Sequence, residues 1–195
     1  LWPCTALFRS RLAPFGWMAT LPVMAYVGGG ALATPLAMQV CGFAFDDAAL
    51  VLEWHVIGMF APGFFTGHLI KRYGVLPIMG AGVLLNLACV AVALMGVELH
   101  HFGIALFMLG VGWNFLFTGS TALAMTAYRP EEKDRAQAAL NFCVFATLAV
   151  SSLFSGVLVT TQGWTLLNYD SLAPIAITGA ALLWLALHQR RVQAA

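Results

Sequence analysis

All nine Lys and Arg residues fall at ends of long apolar runs, and always at alternate ends. Arg9 and Arg11 precede the first run. Lys71 and Arg72 lie between the second and third, and Arg129, Lys133 and Arg135 between the fourth and fifth. Arg190 and Arg191 follow the sixth. The intervening connections hold no Lys or Arg, only Asp46, Asp47, Glu98 and Asp170 with His100 and His101. Cytoplasmic loops of membrane proteins retain Lys and Arg, so this alternation predicts that every run crosses the bilayer. The chain is expected to span the membrane six times with both ends on the cytoplasmic side. Composition agrees: 61% of residues are hydrophobic and 9% charged, against about 45–50% and about 25% in soluble chains.

A span needs about 20 apolar residues. Six segments qualify: 15–38, 48–70, 75–97, 102–128, 138–161 and 171–187. They are too long for barrel strands, which need only about 10 residues, and they lack two-residue alternation. The fold class expected is therefore an all-α membrane protein. Residues 1–14 form a cytoplasmic lead-in, 15–187 the bundle and 188–195 a cytoplasmic tail. A start at Leu1, with Arg9 and Arg11 on a short lead-in, suggests the tail end of a longer chain. The four cysteines are scattered and read as small apolar fillers. The net charge of +1, without a basic patch, gives no reason to expect nucleic acid.

Polar residues sort the spans. The third is apolar apart from Asn86, and the sixth apart from Ser171 and Thr178. The first, second, fourth and fifth carry many more, including Tyr26, Glu53, Asn114, Thr147, Ser151 and Ser155. Polar groups are costly in hydrocarbon, so these four spans should wall a cavity and the other two should face lipid. The small-xxx-small pairs Gly63/Gly67 and Ser152/Gly156 predict close helix approach. Pro22, Pro35, Pro62 and Pro174 predict kinks. In the connection Arg129 to Gln137, Pro130 suits a helix start and Glu131 can pair with Arg135. It reads either as a solvated loop helix or as a contact locking one state of a moving bundle.

The segment Gly67-His-Leu-Ile-Lys-Arg-Tyr-Gly74 resembles the loop motif of the major facilitator superfamily, Gly-x-Leu-Ala-Asp-Arg-x-Gly followed by basic residues. Gly67, Leu69, Arg72 and Gly74 match, while Lys71 stands in the place of the acid. The stretches Met59 to Gly67 and Gly112-Trp-Asn-Phe are also similar to bacterial members. The connection Tyr128 to Arg135 is similar to the loop between their tenth and eleventh helices. The chain thus resembles the carboxy-terminal six-helix half of such a transporter. That resemblance implies two six-helix halves, each of two inverted three-helix repeats, with alternating access to a midplane site. The partners it implies are a small-molecule solute, the lipid bilayer, and either the missing amino-terminal half or a second copy.

Glu53 is the only acid inside an expected span. Intramembrane carboxylates are candidate proton carriers or cation partners; Glu53 also lies near Asp46 and Asp47, where it could simply reach the interface. His55, two residues on, points nearly the opposite way at about 100° per residue and reads as a packing histidine. Asn114, beside Trp113, must find a partner, either another helix or the solute. Tyr26 and Trp113 are further candidates for solute contact. Asn141 suits a cap or inner gate, and Asn86 packing. His100 and His101 read as solvated loop residues that would need further ligands to hold a metal.

Enzymatic motifs are lacking. No HExxH, CxxC or phosphate-cradling loop appears, and Ser120 has no intramembrane histidine placed to serve it. No cofactor is expected. The function predicted is ion-coupled secondary transport of a small organic solute, with a non-transporting assembly component or inactive transporter fragment as the alternative.

Overall fold

The computed structural model describes residues 29–125 and 133–194. Seven helical stretches follow one another: α1 (29–40), α2 (Phe45–Phe60), α3 (Gly63–Tyr73), α4 (Val75–Met95), α5 (Leu99–Met125), α6 (Lys133–Asp170) and α7 (Leu172–Ala194). No strand occurs among the described residues. Of the first expected span only 29–38 is described, so Tyr26, Pro22 and the cations Arg9 and Arg11 lie outside the described residues, as do Arg129, Pro130 and Glu131. Among the described residues, four stretches are long and apolar enough to cross a membrane: Phe45–Tyr73, Val75–Met95, Leu99–Met125 and Lys133–His188. The last contains both the fifth and the sixth expected spans.

Pro62 kinks the second span as expected. It offers no N–H to the carbonyl of Gly58, so the ladder breaks between α2 and α3 although Ala61 and Pro62 both keep right-handed backbone (φ −58° and −63°). Pro174 interrupts the sixth span in the same way: it offers no N–H to the Asp170 carbonyl, and the helix running from Trp164 breaks at Ser171 between α6 and α7. Gly74 alone joins α3 to α4, at φ 89° and ψ 164°, a conformation restricted to glycine.

The fifth and sixth spans are divided by Gly163 (φ 84°, ψ 174°), not by a loop over 162–170. From Trp164 the chain is already helical. The Trp164 ring lies against Phe102 with centroids 5.1 Å apart, and its Nε1 donates to the Ala93 carbonyl at 3.1 Å. Further on, Gly179 lies beside Val83 of α4, where an added Cβ would be 3.6 Å from Val83 Cγ1. Asp170 therefore lies exposed on the helix that begins at Trp164, and not in a loop. His100 and His101 are likewise on the first turn of α5, not in a loop.

α5 is the hub. Gly110 meets α2: an added Cβ would stand 2.5 Å from the His55 carbonyl oxygen and 2.9 Å from the Met59 nitrogen. Gly112 meets α4, where a Cβ would be 3.0 Å from the Gly82 carbonyl, and a Cβ on Gly82 would be 2.9 Å from the Gly112 carbonyl. Two residues turn a helix by about 200°, so this pair opens opposite faces of α5 to two backbones. The pairs expected to set close approaches do not do so. Gly67 and Gly156 have nothing within 4 Å, and Ser152 bonds its own helix at Leu148. The reason is orientation: spacing shows that two small residues share a face, not which neighbour that face meets.

Two apolar cores flank this hub. One joins α4, α5 and α7 through Met79, Val83, Leu109, Leu116, Ile175 and Leu182. The other joins α1, α2, α5 and α6 through Ala33, Met38, Val51, Phe102, Leu106 and Val159. α4 is thus sandwiched yet open on one side: Leu84, Leu87 and Met95 are exposed, while Asn86 is fully buried where α4 crosses α5. The exposed cations Lys71, Arg72, Lys133 and Arg135 lie at one end of the bundle, and Asp46, Asp47 and Glu98 at the other.

Candidate functional site

Polar contacts across the helices concentrate where α5 passes the Pro62 kink. Breaking the ladder leaves carbonyls near the end of α2 in need of donors. Asn114 supplies one: its Nδ2 donates to the Met59 carbonyl at 2.7 Å. Thr66 Oγ1, 2.7 Å from Asn114 Oδ1, donates to it and also lies 2.8 Å from the Pro62 carbonyl. Thr66 is fully buried and Asn114 nearly so. Asn114 therefore bonds helix to helix across the kink. About one turn along α2 towards the acidic end, His55 Nδ1 donates to the Leu106 carbonyl at 2.8 Å. Asn114 and His55 together fasten α2 to α5 on both sides of the Gly110 crossing.

Glu53 is on the opposite side of α2 from His55, and exposed. Asn114 meets α2 at Met59, six residues away, or about 9 Å along the helix, so these two candidates do not share a contact. Trp113 is half-buried, stacked on Phe117 with centroids 4.8 Å apart and planes 7° apart, and edge-on to Phe60 at 6.4 Å. Its ring faces aromatic neighbours, not the Asn114 bonds.

In the motif, Gly74 makes the chain reversal, and Arg72 stacks over Tyr73 at 5.3 Å. Leu69 is half-buried, and Gly67 has open space around it. At the other end, Glu98, His100 and His101 gather with possible ligand atoms within 4.8 Å of one another, with Glu98 and His100 exposed. The described residues form open grooves. One of about 530 Å³ runs over the apolar face of α5 past Trp54, Leu85, Gly103 and Phe107. Another, of about 340 Å³, lies between α1, α6 and α7 and includes Thr147, Ser151, Ser155 and Asp170. Glu53, Asn114 and Trp113 line neither groove.

Comparison with known proteins agrees with this helical, kinked, glycine-crossed bundle. The profile of the Major Facilitator Superfamily matches residues 10–195. The chain belongs to that family. It is 44% identical over 137 residues to the riboflavin transporter RfnT of Brucella anthropi, covering 70% of this chain and 34% of that protein. It is 26% identical over 162 residues to the uncharacterized MFS-type transporter YddS of Bacillus subtilis, covering 82% and 36%. It is 29% identical over 160 residues to the purine ribonucleoside efflux pump NepI of Salmonella paratyphi B, covering 78% and 36%. The chain spans about a third of the length of these curated relatives. No solved structure matches. The protein is thus an integral membrane protein of a transporter family and not an enzyme.

The close crossings at Gly58/Gly110 and Gly82/Gly112 were not singled out by sequence spacing. The Gly110-x-Gly112 pair was the available signal, because only a helix gripped on both faces needs glycines two apart. Asp170 was missed for a different reason. A charge preceded by Gln162 and Gly163 looks like a loop until Trp164 is seen to dock on α4.

Proposed function

We propose that the complete protein is a secondary active transporter that moves a planar nitrogen heterocycle carrying a ribose-derived hydroxyl chain. The observation that carries this reading is the 44% identity to a riboflavin transporter over 70% of the chain, supported by the likeness to a purine ribonucleoside efflux pump. Riboflavin and purine ribonucleosides share that chemistry: a flat ring system with a five-carbon hydroxylated arm. A second six-helix half, or a second copy, completes the cavity, and the two bundles rock about it. The tight α2–α5–α4 block suits this motion, since glycine crossings and buried hydrogen bonds let the block move as one body. The cationic end of the bundle faces the cytoplasm, and the membrane is the bacterial inner one. Residues 15–187 form the bundle, between a cytoplasmic lead-in and tail.

Within this reading Glu53 couples solute movement to an ion, and Trp113 and Tyr26 contribute aromatic contact to the solute. Asn114 acts by holding the kink at Pro62, because its amide is engaged by Met59 and Thr66. The test is transport of riboflavin, adenosine and a panel of unrelated solutes by the full-length protein in vesicles, with and without a pH gradient. Flux of one of the two, driven by the gradient, is expected. Flux of unrelated solutes alone would overturn the solute class, and gradient-independent flux would overturn the coupling.

A further inference from the structure

Glu98, His100 and His101 stand together at the acidic end of the bundle, apart from every residue the transport reading uses. Each offers one ligand atom, and these atoms lie within 4.8 Å of one another. Local structure holds all three in place. The Glu98 carbonyl caps α5, accepting from the His101 N–H at 3.0 Å and the Phe102 N–H at 3.3 Å. Phe102, next in the chain, is buried in a core and pins that turn. The backbone of the three residues is therefore fixed as one capped turn.

The side chains converge on that turn. His100 Nδ1 is 3.2 Å from Glu98 Oε2, and the two imidazole centroids are 4.1 Å apart. Bonds of about 2.0–2.1 Å at tetrahedral angles put two ligand atoms about 3.3 Å apart. The Glu98–His100 pair already has that spacing. The set as a whole has to close by at most about 1.5 Å, and Glu98 and His100 are exposed, with room to rotate. His101 is the fixed member. The ring edge bearing its two nitrogens occupies the space that a side chain at Gly96 would fill: an added Cβ would stand 2.7 Å from Cε1, 3.0 Å from Nδ1 and 3.1 Å from Nε2.

Hydrogen bonding within the protein leaves this group incomplete. His101 Nδ1 is buried and finds no protein partner, which is costly unless a water or an ion supplies one. Glu98 has no basic neighbour to pair with along this part of the chain, because no Lys or Arg occurs between Arg72 and Arg129. A divalent cation answers both needs. Two imidazoles and one carboxylate suit zinc and its transition-metal neighbours, whereas magnesium and calcium prefer oxygen ligands. Three protein ligands leave a fourth position to water.

We infer that Glu98, His100 and His101 form a binding site for a divalent transition-metal ion of the zinc type. The ion ties the α4–α5 connection to the first turn of α5, and Gly96 is a positioning residue that makes room for His101. The site stands independently of the solute class proposed above.

The full-length protein, purified in detergent through a tag without histidine and stripped with a chelator, is titrated calorimetrically with Zn²⁺. A site in the micromolar range or tighter is expected, unchanged by millimolar Mg²⁺. Glu98→Gln, His100→Ala and His101→Ala should each weaken it about tenfold or more. His68→Ala, which removes an exposed histidine at the cationic end, should not. Gly96→Ala keeps every ligand and an extended backbone that any residue adopts (φ 177°); it should weaken binding about tenfold by displacing His101. Co²⁺ in the same site should show the intense visible absorption of tetrahedral coordination, lost in Glu98→Gln. A full-length protein without a zinc site tighter than millimolar overturns the inference, and so does a site that all three ligand substitutions leave unchanged. Full affinity in Gly96→Ala would overturn its positioning role. Should His101→Ala fail to fold, the exposed pair Glu98→Gln and His100→Ala still decides.

Discussion

Replacing Gly110 with Ala tests whether backbone-to-backbone contact holds the α2–α5 block. The added Cβ would stand 2.5 Å from the His55 oxygen, 2.9 Å from the Met59 nitrogen and 3.0 Å from the Gly58 carbon. All three are backbone atoms, so no rotamer change relieves the clash. Ordinary contact begins near 3.4 Å, so the helices must part by about 0.9 Å. That movement takes the His55–Leu106 bond from 2.8 Å to about 3.7 Å and the Asn114–Met59 bond from 2.7 Å to about 3.6 Å, lengths at which neither counts as a hydrogen bond. Interhelical bonds in membranes contribute about 0.6 kcal/mol each, and overpacking costs about 1–3 kcal/mol. Against this, Ala gains up to about 1 kcal/mol over Gly in helix propensity. The net is a loss of about 1–3 kcal/mol. Gly103 is the control, seven residues earlier on α5 with nothing within 4 Å; Gly103→Ala should be neutral or slightly stabilising. Unfolding of both variants of the full-length protein in detergent measures the difference. Equal stability of the two would refute the crossing as a source of cohesion.

Asn114→Leu should destabilise by about 1–3 kcal/mol, because it strands the Met59 carbonyl and the Thr66 hydroxyl. A double-mutant cycle with Thr66→Val, read by the same unfolding measurement, should show coupling of at least about 0.5 kcal/mol. Gly163→Ala and Gly74→Ala, both at positive φ, should each cost about 1–3 kcal/mol, seen as reduced folded yield by fluorescence-detected gel filtration; Gly80→Ala, with open space and helical backbone, should not. Glu53→Gln should abolish gradient-driven accumulation while leaving solute exchange across the membrane intact; unchanged accumulation would remove Glu53 from coupling. Trp164→Phe keeps an aromatic ring against Phe102 but loses the Nε1 bond to Ala93, and should cost about 0.5–1.5 kcal/mol in the unfolding assay.

The grip on α5 shows why part of the site could be read from sequence and part could not. His55 was legible as a packing residue because two residues around a helix separate it from Glu53, and the structure buries one and exposes the other. Asn114 was legible as a residue that must find a partner, since an amide in hydrocarbon cannot stay unpaired. Which partner it finds depended on the carbonyls that Pro62 frees on another helix, and no local rule gives that.

The amino-acid sequence by itself determined the helical class, the kink at Pro62, and the separation of cations from acids at the two ends of the bundle. Each follows from a property of the chain alone: the hydrocarbon demands long apolar helices, proline lacks an N–H, and Lys and Arg resist translocation. Only the tertiary structure decided which glycines bring backbones together, where the fifth span turns into the sixth, and that Asp170 lies on a helix and not in a loop. Those outcomes depend on how one helix is rotated against the next. Packing fixes that rotation between residues far apart in the chain, as when Trp164 docks on Ala93.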